Sequence, residues 1–266
     1  MAEGYWMIRT YEAGNVGEKT KYWVPGARPS RSERKLRSEA KKQEQNEHSA
    51  EKRMARTLNA NYGPGDDLMG LDYSEEGLGR IMDWARGQGM DPDHADETEL
   101  LDIQRAAAEH AIRNFLRRVK RDLPEGVELR ALWITSDMDG ETGEVVRVHH
   151  HLVVPKGCRE AFIRKWQELG WGGVNWEPLS SQDDYTPIAE YFARQVRKVP
   201  DAKKYGSTRN MIRPVPKDRA ALTAGELRVP AGAKLLHRSE FKPGRPQYIR
   251  YVLPEGKKRR AERKNC

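Results

Sequence analysis

A chain of 266 residues with 37% hydrophobic residues has room for one sizeable core with solvated extensions, or for two small ones. Lys and Arg number 48 against 40 Asp and Glu, a formal charge of +8, which favours a polyanionic partner, nucleic acid first, because cations placed on phosphates release condensed counterions. No apolar run approaches the ~20 residues of a membrane span, no secretory apolar region leads the chain, and Cys158 and Cys266 are too few for a disulfide framework. The expectation is a cytoplasmic protein with no membrane partner.

In chain order, residues 5–24 (YWMIRTYEAGNVGEKTKYWV) place aromatic and β-branched residues on both sides of a Gly-Asn centre and predict a hairpin. Its GNVGEKT lacks the Gly-Lys adjacency of a phosphate loop. Arg31 to Arg56 is densely charged and reads either as an exposed helix or as a basic arm that orders on DNA. GDDLMGLDY (65–73), preceded by Gly-Pro-Gly, predicts the first strand of a core. Leu101, Ala108, Ile112, Phe115 and Val119 recur at helical spacing between Thr98 and Arg121, and Pro124 with Gly126 ends that helix.

LRALWITS (129–136) and EVVRVHHHLVVP (144–155), joined by DMDGETG, predict an antiparallel pair. A helix from Cys158 to Leu169, a strand over 173–180 and a helix from Tyr185 to Lys198 complete the order β-α-β-β-α-β-α. This is the order of an α+β fold with a ferredoxin-like, split βαβ antiparallel sheet and helices on one face. The predicted organisation is a hairpin with a charged helical arm over 1–60, a core domain over 61–215, and a basic C-terminal extension over 216–266 that ends in GKKRRAERKNC and contacts phosphates.

The chemistry concentrates in two places. Side chains alternate along a strand, so His149 and His151 share one face and His150 takes the other. Two convergent imidazoles with an oxygen ligand suit a divalent ion with open positions for phosphate oxygens; Asp137 on the neighbouring strand is the candidate oxygen ligand, unless it is an ordinary hairpin residue. On the helix after Tyr185, Tyr191, Arg194, Gln195 and Lys198 fall at i, i+3, i+4 and i+7 and line one face. Tyr191 is the candidate nucleophile, with Arg194 or Lys198 lowering its pKa or clamping the phosphate. Tyr185 is turned roughly 240° away on the same helix and reads as structural.

These motifs resemble the replication-associated proteins of phages, plasmids and integrated mobile elements, the HUH endonucleases. QNEHSAEKRMARTLNANYGPGDDLMGLDYS (45–74) resembles that family's N-terminal block, VHHHLVV (148–154) its metal-binding strand, IAEYFARQ (188–195) its tyrosine helix, and GSTRNMIRP (206–214) the segment that follows. The resemblance implies an HUH nuclease fold, a divalent metal (Mn2+ or Mg2+) on His149 and His151, and a nick in single-stranded or hairpin origin DNA by Tyr191. That nick leaves a 5′-phosphotyrosyl link and a 3′-hydroxyl that primes rolling-circle replication.

It also makes Arg209 and Asn210 candidates for DNA or site-supporting contacts, and implies a host helicase and polymerase as partners. Where relatives carry Lys-Glu after the tyrosine, this chain has Arg194 and Gln195, so the third metal ligand is either Gln195 or Asp137. The same chemistry would serve a relaxase or a transposase. A nucleic-acid-binding protein with a structural metal, and a metallonuclease that uses water, are the other readings.

Overall fold

The computed structural model describes residues 4–26, 39–197, 204–221 and 225–254. Its first elements are β1 (Tyr5–Ala13), β2 (Val16–Val24), α1 (Glu39–Asn61), β3 (Asp67–Asp72), α2 (Glu75–Gly87) and α3 (Glu97–Asp122). There follow β4 (Leu132–Met138), β5 (Val145–Val154), α4 (Arg159–Glu168), β6 (Val174–Pro178), α5 (Thr186–Arg194), β7 (Gly206–Ser207), β8 (Lys217–Ala220), β9 (Lys234–Arg238) and β10 (Gln247–Val252). The fold is α+β, with two five-stranded antiparallel sheets and five helices among the described residues. None of these helices is long and apolar enough to cross a membrane.

The chain divides into two units, the first made of Met1–Asn61, Asp183–Thr186 and Ile212–Cys266, the second of Tyr62–Gln182 and Pro187–Met211. In the first, the strand order is β8-β1-β2-β10-β9. Gly14 turns β1 into β2 at φ +54°, and a β-carbon there would fall 1.9 Å from the Asn59 carbonyl oxygen, so glycine is needed for both the backbone angle and the close approach. One sheet face is covered by α1, whose Arg56 pairs with Glu18 at 2.8 Å and stacks on the Tyr11 ring. The charged stretch is thus helical from Glu39 onward, with Ala50, Met54, Ala55 and Leu58 buried, its residues 31–38 lying outside the described ones. Residues 217–252, expected within a basic extension, supply three strands to this sheet; the terminal basic run lies outside the described residues.

In the second unit the order is β6-β3-β5-β4-β7. The crossover from β3 to β4 is split by β5, and the crossover from β5 to β6 is split by β3, which is the split βαβ connection pattern. On one face Met69, Leu71, Leu152 and Val154 pack against Phe115 of α3 and Phe162 and Trp166 of α4. On the other face Phe192 of α5 stacks on the His151 ring, centroids 6.0 Å apart. Helices therefore cover both faces, not one as expected: a sheet with apolar residues on each side must bury both. The helix α2 was not among the predicted elements. Ser74 caps it, accepting from the Gly77 N–H at 3.0 Å, and a β-carbon at Gly77 would lie 1.9 Å from the Trp171 carbonyl oxygen.

Candidate metal and tyrosine site

The site is built on β5, the central strand of the second sheet. Its alternation sends Val148, His150, Leu152 and Val154 to the face of α3 and α4, and His149 and His151 to the face of α5. The two outward imidazoles converge, with Nε2 atoms 3.1 Å apart. His149 Nδ1 lies 3.0 Å from the Arg147 carbonyl oxygen, which can only accept, so Nδ1 carries a hydrogen and Nε2 is the nitrogen turned to His151. Burial, with the neighbouring His149 charge second, pushes His151 down to about 4, so it is neutral at physiological pH.

His150 faces the core and is fully buried. Its Nε2 is 2.9 Å from the Tyr73 hydroxyl and its Nδ1 3.2 Å from Thr135 Oγ1. Burial holds it down to about 3, a neutral core group satisfied at both nitrogens.

From α5, the Tyr191 hydroxyl reaches to 3.5 Å from His151 Nε2, its ring edge-on to the imidazole. Burial and, next, the charge of Asp139 raise its pKa, while a hydrogen bond from the Gln195 amide opposes them. Gln195 is buried, and its amide packs so closely on the β4–β5 loop that a β-carbon at Gly140 would lie 2.8 Å from Nε2. An open cleft leads to this hydroxyl, lined by Leu68, Gly70, His151, Asn175, Ile188 and Tyr191.

The structure thus brings together His149, His151, Tyr191 and Gln195, but not Asp137. That carboxylate is buried on the opposite face, its Oδ1 3.3 Å from Arg105 Nη1 and its Oδ2 3.2 Å from Arg197 Nε. The pairing gives the reason: Ser136 lies across from His149, the ladder is broken between Ser136 and Met138, and the Asp137 carboxylate between them turns to Arg105 of α3. Arg194 is exposed at the end of α5, and Lys198 lies outside the described residues. Arg209 and Asn210 form a turn after β7, where the Asn210 amide donates to the Glu128 carboxylate at 2.9 Å and the Leu129 carbonyl at 3.0 Å. Strand β7 pairs at Leu132, four residues and about 13 Å of strand from Ser136, the partner of His149. Asn210 ties down a loop and is not gathered at the histidines.

Sequence reasoning missed the neighbours supplied by β3 and β6. Asp72 lies directly across from His149, and Gly70 across from both His151 and Asn175. The Asn175 amide donates to Asp72 Oδ2 at 3.3 Å. The alternation of Gly70 and Asp72 in GDDLMGLDY was readable; which strand would lie beside it was not. Among the described residues no three His, Cys, Asp or Glu side chains are gathered as a complete metal-binding set. The donors that fit an ion are the two imidazole nitrogens, close enough for one ion to touch both with metal–nitrogen bonds of about 2 Å.

No protein family, curated protein or solved structure matches this chain.

Proposed function

We propose that this chain is a metal-dependent DNA-nicking enzyme of the HUH type, acting as a rolling-circle replication initiator on single-stranded or hairpin DNA. The observation that carries the reading is the convergence of His149 and His151 Nε2 at 3.1 Å with the Tyr191 hydroxyl 3.5 Å from His151 Nε2. A nucleophile beside a pair of convergent imidazoles, open to a cleft, is the set of parts that phosphoryl transfer to a tyrosine needs. The split βαβ sheet that presents them, and the resemblance of the two motifs, support the same assignment.

His149 and His151 would hold the divalent ion, which when bound supplies charge to polarise a phosphate oxygen and to offset the phenolate. Gln195 orients the Tyr191 hydroxyl and favours its ionised form. The Tyr191 hydroxyl gives its proton to water of the open cleft, the phenolate oxygen attacks phosphorus, the bond to the 3′ oxygen breaks, and that oxygen takes a proton from water as the 3′-hydroxyl while the 5′ phosphate stays on Tyr191. Incubating the protein with Mn2+ and 5′- or 3′-labelled single strands, then running a denaturing gel, tests this. A DNA-linked protein band that vanishes with Tyr191→Phe is expected; cleavage without linkage would instead mean hydrolysis by water.

A further inference from the structure

We infer that the sheet of the first unit carries a second nucleic-acid site, a strip that takes the phosphates of a single strand and stacks one of its bases on Trp23. The inference rests on the first unit alone and stands apart from the nicking chemistry.

Lys19, Lys21 and Trp23 alternate along β2 and so share one face, opposite the face that α1 covers through Arg56, Glu18 and Tyr11. Across the strands, Ile8 pairs with both Lys21 and Arg219, which places Arg219 in the same row. An open cleft on this face is lined by Lys19, Lys21, Arg219 and Arg228 against the single carboxylate of Glu226. The lysines are held by the fold: Lys19 donates to the Arg228 carbonyl at 2.9 Å, and Lys21, buried beneath the cleft, donates to the Gly225 carbonyl while its ammonium lies 5.3 Å from the centre of the Trp6 ring. Arg219 and Arg228 are exposed and able to reach phosphates.

At the end of this cationic strip is Trp23, 47% exposed, packed edge-on against Trp6 with ring centroids 5.4 Å apart. A β-carbon at Gly4 would fall 2.4 Å from the Trp23 ring, so the indole rests on bare backbone. Its ring is fixed on two sides and open on the rest, as a stacking platform requires. The accessible cations Lys19, Arg219 and Arg228 beside an immobilised, exposed indole match an unpaired strand, whose bases are free to stack, better than a duplex, whose bases are not.

The test measures affinity of the full-length Tyr191→Phe protein for fluorescein-labelled oligodeoxythymidylate without metal, across a salt series, beside a duplex of equal length and anionic phosphatidylserine vesicles. Arg219→Gln with Arg228→Gln, both at exposed positions, is expected to weaken strand binding about tenfold and to reduce the salt slope by about 1.4, roughly 0.7 for each phosphate no longer neutralised. Trp23→Ala is expected to cost about tenfold for the single strand with the slope unchanged and duplex binding unaffected, and Trp23→Phe to retain most of the affinity. The control Arg117→Gln with Arg121→Gln removes the same charge from exposed positions of the second unit. Equal losses in control and test variants, an unchanged salt slope, a Trp23→Ala effect shared by duplex, or vesicle binding that falls in step with removal of the cleft arginines would each overturn the inference. Since no cleavage is read, its failure leaves the nicking assignment standing, and the reverse holds.

Discussion

Asn175 lies against Gly70 so closely that a β-carbon on the glycine would fall 2.3 Å from Asn175 Oδ1. The missing side chain lets the amide of β6 reach over β3 to Asp72, beside the strand residues that pair with His149 and His151. Gly70→Ala should push Asn175 aside and break its bond to Asp72 at a stability cost of about 1 kcal/mol, the size of one ordinary hydrogen bond. The flexible end of Asn175 is what has to move, so the fold survives and the damage falls on the site. Mn2+ affinity, read by calorimetry, should drop in Gly70→Ala and by a similar amount in Asn175→Gly, which loses the same bond to Asp72. Equal affinity in parent and variants would show that this packing does not shape the site.

His150, buried and neutral, makes the protein sensitive to acid. Its folded pKa, down at about 3, is below the 6.5 of a free histidine. Above pH 6.5 neither state binds the proton and the group has no effect. As pH falls below 6.5 the unfolded chain gains a proton that the folded chain refuses, so stability declines until the folded pKa is reached. The contribution is about 1.4 kcal/mol per pH unit within that window. His150→Gln should flatten the metal-free plot of unfolding free energy against pH by about one proton between pH 6 and pH 4. A slope equal to the parent's would show that His150 is protonated in the folded state.

Asp137 separates a structural carboxylate from a metal ligand. It is buried beside Arg105 and Arg197, so Asp137→Asn removes the buried charge between them, leaving Arg105 only Glu109 and Arg197 only Asp102, and should cost about 3 kcal/mol. Thermal unfolding should show the drop, while Mn2+ stoichiometry and affinity stay at parent values in the folded protein at low temperature. Metal binding that disappears together with stability would return Asp137 to the ion.

Gln195 acts on the nucleophile through its amide, whose hydrogen bond to Tyr191 favours the phenolate. Gln195→Leu removes it and raises the tyrosine pKa further, so the pH profile of adduct formation should move to higher pH, with the rate at neutral pH reduced. If the profile stays in place and only DNA affinity changes, Gln195 has no part in tuning Tyr191.

Much of the second unit was legible because its signals are local. Alternation along VRVHHHLVV separates His150 from its two neighbours, and the spacing of Ala108, Ile112, Phe115 and Val119 marks α3 before any partner is known. What could not be read depends on register and on distant pairing. Asp137 sits where the ladder with β5 is broken, and only the partner it meets, Arg105 of α3, says which face its carboxylate takes. The strands β8 and β10 join β1 and β2 from about two hundred residues away, and nothing in the sequences KDRA and QYIRYV names that partner. Helix α2 was hidden by Gly77 and Gly79, which lower helix propensity, although Ser74 with Glu75 and Glu76 forms a start signal.

The most direct test of the central claim is the mass of the tryptic peptide containing Tyr191 after incubation with Mn2+ and a short single-stranded oligonucleotide pool. A nucleotide 5′-phosphate ester on Tyr191, absent without metal, absent from Tyr191→Phe and abolished in His149→Ala with His151→Ala, is the predicted result. Cleaved DNA with Tyr191 unmodified, or an ester on another residue in the parent protein, would contradict it.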